Sequence, residues 1–155
     1  MKICVTSDLH GILPKIEEPC EVVLICGDIM PLQRNIPQSE KWLKTTFAEW
    51  VNNLPCESVI MVGGNHDFAL ANMYRQPLKI SSILSNPTNG KLELLDNEET
   101  SVISKDGKIY SIWGTPYCKI FGNWAYMYEP ETLIKAYESM PQYCDIVISH
   151  DAPKL

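Results

Sequence analysis

The stretches that most constrain this chain are "VVLIC" at residues 22–26 and "SVIMVGGN" at residues 58–65. Each holds an uninterrupted apolar run of four or five residues, where a half-wet strand would alternate apolar with polar. Such runs read as strands covered on both faces. Residues 2–7, "KICVTS", read as a further short strand, and 92–95, 101–104, 108–113 and 145–149 as four more. The "KDGK" between two of them supplies a hairpin turn. Residues 39–54 carry Leu43, Phe47, Trp50, Val51 and Leu54 at three- and four-residue steps, which predicts a helix with Ser39 at its N-cap. A second helix is predicted from Pro130 to Met140, opening on proline. Residues 70–84 stay ambiguous, because Pro77 interrupts what reads as two short helices. The order β, β, α, β, (α), a β-rich stretch, α, β predicts an α/β sandwich rather than an all-β fold. At 155 residues the chain reads as one domain, 1–155.

In open α/β sheets, ligand sites lie at the carboxyl ends of strands. Here "SDLHG" follows the first strand with Asp8 and His10, and "GDI" follows the second with Asp28. "GGNHD" follows the third with Asn65, His66 and Asp67, and "SH" closes the last with His150. All three histidines of the protein directly follow an apolar strand. Taken singly, each residue has a bland alternative: a turn aspartate, a cap, a hydrogen-bonded loop histidine. Taken together in this order they read as a metal site. Residues two apart in an extended segment project to one side, so Asp8 and His10 can aim at one point. With Asp28 they form a mixed nitrogen and oxygen set suited to Mn²⁺, Fe²⁺ or Zn²⁺. The two oxygens of Asp28 could serve two metals, with Asn65 and His150 offering an amide oxygen and a nitrogen to the second. Two cations about 3.5–4 Å apart are a common arrangement for in-line attack on phosphorus.

In these residues, "DLHG", "CGDI", "GGNHD" and "ISH", the chain resembles the calcineurin-like metallophosphoesterase superfamily, whose motif series is D-x-H, G-D, G-N-H-[DE], a later H and G-H-x-H. The stretch "SIWGTPYCKIFGNWAYMY" looks like the small branch related to class III cyclic-nucleotide phosphodiesterases. The resemblance implies a metallophosphatase-type αββα sandwich. It also implies two divalent metal ions, with Mn²⁺ favoured and Fe, Zn or Ni as alternatives. Asp8, His10 and Asp28 would bind one, and Asp28, Asn65 and His150 the other. His66 would face the substrate phosphate, stabilising charge or protonating the leaving oxygen. Asp67 would hold the His66 imidazole in a useful tautomer, or else cap the following segment. The "FGNW" loop, Phe121 to Trp124, would border the substrate site or merely pack and turn.

No G-H-x-H follows His150, so the expected domain is C-terminally truncated, and its last strand has an uncovered edge that invites a homo-oligomer. The missing ligands could be absent from this sequence, supplied by a partner chain, or lost in a non-catalytic relative. The expected function is thus a metal-dependent phosphoesterase, a phosphodiesterase using a metal-bridging hydroxide. The alternative is a non-catalytic metal- or nucleotide-binding protein on the same scaffold.

The expected partner is a phosphate-ester small molecule or nucleotide. A net charge of −6 argues against a general nucleic-acid coat, although bound cations would reverse the sign locally. No apolar stretch approaches the roughly 18 residues of a membrane span, and the N-terminal apolar run is too short for a signal peptide. The six cysteines occur singly, without a Cys-x-x-Cys pair, and read as reduced thiols in a cytoplasmic protein.

Overall fold

The computed structural model describes residues 1–32, 35–74 and 84–152. The first half of the chain runs β1 (Ile3–Thr6), β2 (Val22–Cys26), α1 (Ile36–Trp42), a π-helical turn (Leu43–Phe47), α2 (Ala48–Asn53), β3 (Ser58–Val62) and α3 (Phe68–Tyr74). The second runs β4 (Leu92–Leu95), β5 (Glu98–Ile103), β6 (Ile109–Thr115), β7 (Cys118–Lys119), β8 (Met127–Tyr128), α4 (Pro130–Glu138) and β9 (Ile146–Ser149). Residues 75–83, most of the stretch around Pro77, lie outside the described residues.

β1 to β4 form an all-parallel sheet in sequential order. A second sheet has the order β5-β6-β9, with β5 antiparallel and β9 parallel to β6. The apolar runs are explained by what covers them. Val22 and Leu24 of β2, with Ile60 and Val62 of β3, face the second sheet and pack with Leu95, Ile112 and Ile148. Val23, Ile25, Val59 and Met61, at the alternate positions, face the helices and pack with Leu43, Phe47, Val51 and Leu70. Each such side chain stabilises the fold by about 1.5–3 kcal/mol. On the far side of the second sheet, buried Trp113 meets Tyr137 of α4, ring centroids 5.8 Å apart. The layers are therefore helix, sheet, sheet, helix, the sandwich anticipated above.

Local details differ from the sequence reading. The first helix is capped by Asn35, whose side chain accepts from Gln38 N–H at 3.1 Å, and Ser39 is a buried residue of its first turn. Pro37 fits there because first-turn N–H groups have no intrahelical partner to lose. The two-residue strands β7 and β8, paired in parallel, carry no periodic signal and escape sequence analysis. β9 stands at the edge of its sheet, next to β6, with Val147 about half exposed. All six cysteines are free. No helix among the described residues is long and apolar enough to cross a membrane.

Candidate metal centre

The loops leaving β1 and β2 are tied side by side beyond the ends of their strands. Asp8 N–H donates to Gly27 O at 3.0 Å, His10 N–H to Asp28 O at 2.9 Å, and Gly11 N–H to Ile29 O at 2.9 Å. Asp8, His10 and Asp28 all have left-handed backbones, with φ of 54°, 45° and 54°. Non-glycine residues adopt that region at a cost and cluster there at functional sites. The convergence of Asp8 and His10 therefore comes from two left-handed kinks and a neighbouring loop, and not from the extended-strand projection expected from spacing.

One ligand atom from each of Asp8, His10 and Asp28 lies within 4.8 Å of the others. Donors that each sit about 2.0–2.2 Å from a shared cation are at most about 4.4 Å apart, so a small side-chain adjustment closes the set. Asp28 is almost completely buried, and His10 Nδ1 is buried with no hydrogen-bond partner among the described residues. The His10 nitrogen recorded beside the buried carboxylate is Nε2, 3.9 Å from Asp28 Oδ2, and an imidazole nitrogen converging with two carboxylates is a donor set that suits a divalent cation. The residues present fit a divalent cation.

His150 arrives from the end of β9 on the other side of Asp28. Its Nδ1 lies 2.8 Å from Cys26 O, and its Nε2 lies 2.9 Å from Asn65 Oδ1 and 3.5 Å from Asp28 Oδ1. With Nδ1–H donating to the carbonyl, a neutral imidazole presents a lone pair at Nε2. The oxygens of Asn65 and Asp28 beside it are acceptors too. Three acceptors facing one another, with the imidazole held through its other nitrogen by a backbone carbonyl, is a pattern typical of metal-binding histidines. Two glycines make this approach feasible. A Cβ at Gly27 (φ +93°) would lie 2.5 Å from His150 Nδ1, and one at Gly64 would overlap the Asp28 carboxylate.

His66 sits over the same centre. Its backbone N–H donates to Asp28 Oδ1 at 2.7 Å, and its Nε2 is 4.0 Å from Asp28 Oδ2. The ring is edge-on to His10 at 5.1 Å and lies 4.4 Å from the Trp124 ring. The structure thus places Trp124 of the "FGNW" loop against a site histidine. That segment is anchored further by Ala125 N–H donating to Asn65 O at 2.9 Å.

Asp67 corrects the sequence reading. Among the described residues its carboxylate is bonded neither to His66 nor to an N–H of α3, although its backbone carbonyl accepts from Ala71 N–H at 3.1 Å. The carboxylate is fully buried and accepts from Gly64 N–H at 2.8 Å, Met30 N–H at 3.0 Å and Ile29 N–H at 3.1 Å. Burial pushes it up to about 6, with Asp28 adding to the rise and the three backbone donors opposing it. Asp67 is the staple that joins the loop after β2 to the loop after β3, where the donors that a buried carboxylate needs are backbone amides. Asp151, passed over in the sequence, similarly accepts from Lys119 N–H at 3.0 Å and links the end of β9 to β7. Its place beside His150 was the one available signal.

Comparison with known proteins shows the family. A family model described as calcineurin-like phosphoesterase matches residues 1–154. Human and mouse metallophosphoesterase domain-containing protein 1 are each 26% identical over 163 residues, covering 97% of this chain and 48% of their own. A probable rhamnogalacturonate lyase C of Emericella nidulans is 25% identical over 155 residues, covering 98% of this chain and 14% of that protein. The chain spans about half the length of its mammalian relatives and a smaller part of the fungal one.

Proposed function

Because the chain belongs to the calcineurin-like phosphoesterase family, we propose that it is a metal-dependent phosphoesterase acting on phosphodiesters. The observation that carries this reading is the gathering of Asp8, His10 and Asp28 within 4.8 Å at adjacent strand ends. These three would hold one divalent cation, and Asp28 with Asn65 and His150 would hold a second. Mn²⁺ is the cation we expect, and the cytosol the compartment. When bound, such cations supply Lewis acidity toward a phosphate oxygen and a more acidic water.

The chain's own residues have distinct tasks. Asp28, buried between the two groups of donors, supplies the negative charge common to both. The Nδ1–H of His150 donates to Cys26 O, which keeps Nε2 aimed at the centre. His66 has its backbone anchored on Asp28 and its ring supported by Trp124, so its imidazole is placed to give a proton to the departing oxygen. Asp67 fixes the two loops and takes no part in proton transfer.

The test is hydrolysis of bis-p-nitrophenyl phosphate by the purified chain with Mn²⁺, beside Asp28→Asn. Metal-dependent turnover that disappears in the variant supports the proposal. Mn²⁺ binding to wild type without any turnover would instead favour a binding protein on this scaffold.

A further inference from the structure

Beside the metal centre lies a second concavity, a cavity of about 500 Å³. Its described lining includes Phe68, Tyr117, Trp124, Tyr126 and Tyr128, with Asp96 as its carboxylate. One of these residues, Trp124, also borders the metal centre. Trp124 packs on His66 at 4.4 Å, and Phe68 directly follows the buried Asp67 and lies 6.2 Å from the Trp124 ring. Trp124 thus touches both the cavity and a histidine of the metal centre.

The charge of the described lining is one-sided. Among the described residues no lysine, arginine or histidine lines it. Asp96 is half-buried, and its carboxylate accepts from the Asn97 side-chain amide at 3.1 Å. Burial first, and then the nearby Glu98, push Asp96 up to about 7. The Tyr117 hydroxyl is also pushed up, by burial and then by Asp96. Aromatic faces carry negative potential, so a carboxylate among them makes a place for positive charge. The rings do not form a flat slot for a planar base, because Tyr117 and Tyr128 already lie against each other at 4.2 Å.

We propose that this cavity holds an organic cation, a quaternary ammonium group of about choline size, carried on the alcohol side of a phosphate ester whose phosphate occupies the metal centre. Several aromatic side chains around one carboxylate match the way proteins recognise quaternary ammonium ligands. The placement of the cation beyond Trp124 rests on the phosphoesterase reading above. Its retention by the cavity does not.

The experiment separates the two. Calorimetric titration of the full chain, stripped of metal, with choline and with its uncharged isostere, in which tert-butyl replaces trimethylammonium, tests the cavity alone. Choline is expected to bind about tenfold or more tighter than the isostere, and Asp96→Asn to abolish that preference. Equal binding of the two, or binding of adenosine but not choline, would overturn the proposal. The comparison in wild type stands even if the variant melts early.

With Mn²⁺, kcat/KM for p-nitrophenyl phosphorylcholine is expected to exceed that for the isosteric ester by about tenfold, with the ratio falling toward one in Asp96→Asn. A ratio near one in wild type would overturn the link to the metal centre. Absence of turnover on every ester, with choline still bound, would refute the phosphoesterase reading and leave the cation site standing.

Discussion

Asp67→Ala separates the role the structure gives this carboxylate from the one its sequence position suggests. The substitution leaves three N–H groups, of Ile29, Met30 and Gly64, without their acceptor. A buried donor left unsatisfied costs about 1–3 kcal/mol, so the gross loss is about 3–9 kcal/mol. Against this, the variant no longer ionises a fully buried carboxyl whose pKa is raised from 3.8 to about 6. That relief is about 3 kcal/mol at neutral pH. The middle of the gross range, about 6 kcal/mol, less the relief of about 3 kcal/mol, leaves an expected net loss of about 3 kcal/mol. Global stability of a domain is about 5–15 kcal/mol, and about 2–4 °C accompanies each kcal/mol at this size. A fall in melting temperature of roughly 6–12 °C should follow. Urea denaturation of wild type, Asp67→Ala and His66→Ala provides the reading. The structure requires a large midpoint shift for Asp67→Ala and a small one for His66→Ala. A stability loss below about 1 kcal/mol for Asp67→Ala, together with a large loss of turnover, would refute the loop-staple argument and restore the tautomer role.

Gly64→Ala should abolish tight Mn²⁺ binding by titration calorimetry, because the new Cβ overlaps the Asp28 carboxylate, which must turn away. Unchanged affinity would show that the loop yields without disturbing Asp28. His66→Asn is expected to lower kcat by about 10²–10⁴-fold toward esters with poor leaving groups while bound metal, read by mass spectrometry, is retained; loss of metal would make His66 a ligand instead. Asp96→Asn tests the sign of the burial effect. The folded-state pKa of Asp96 lies above 3.8, at about 7, so ionisation in the fold carries a penalty that is absent below about pH 4 and complete above about pH 7. In metal-free protein without a cationic ligand, the variant should therefore gain stability on wild type as pH rises from 4 to 8, by about 4 kcal/mol in urea titrations. A constant difference across that range would mean that Asp96 titrates normally.

Much of the molecule could be read without coordinates, because one-dimensional patterns report burial. The unbroken apolar runs of β2 and β3 demand cover on both faces, and two sheets and a helical layer supply it. The repetition of chemistry-bearing residues after strands put Asp8, His10, Asp28, Asn65 and His66 at one end of the first sheet, since its parallel strands all finish on the same side, and the contact with Asp28 brings His150 there from β9 of the second sheet. What sequence could not assign is which side chain meets which, since that depends on distances between loops remote in the chain. Asp67 and His66 are neighbours in sequence, yet Asp67 belongs to amides at 29 and 30, and His66 to Trp124. Asp96, Tyr117 and Tyr128 have no common pattern at all, and only the crossing from the first sheet to the second brings them around one cavity. Periodicity records whether a residue is covered; only the packed chain decides by what, because hydrogen bonds and ring contacts act over a few ångströms of space and are blind to separation along the backbone.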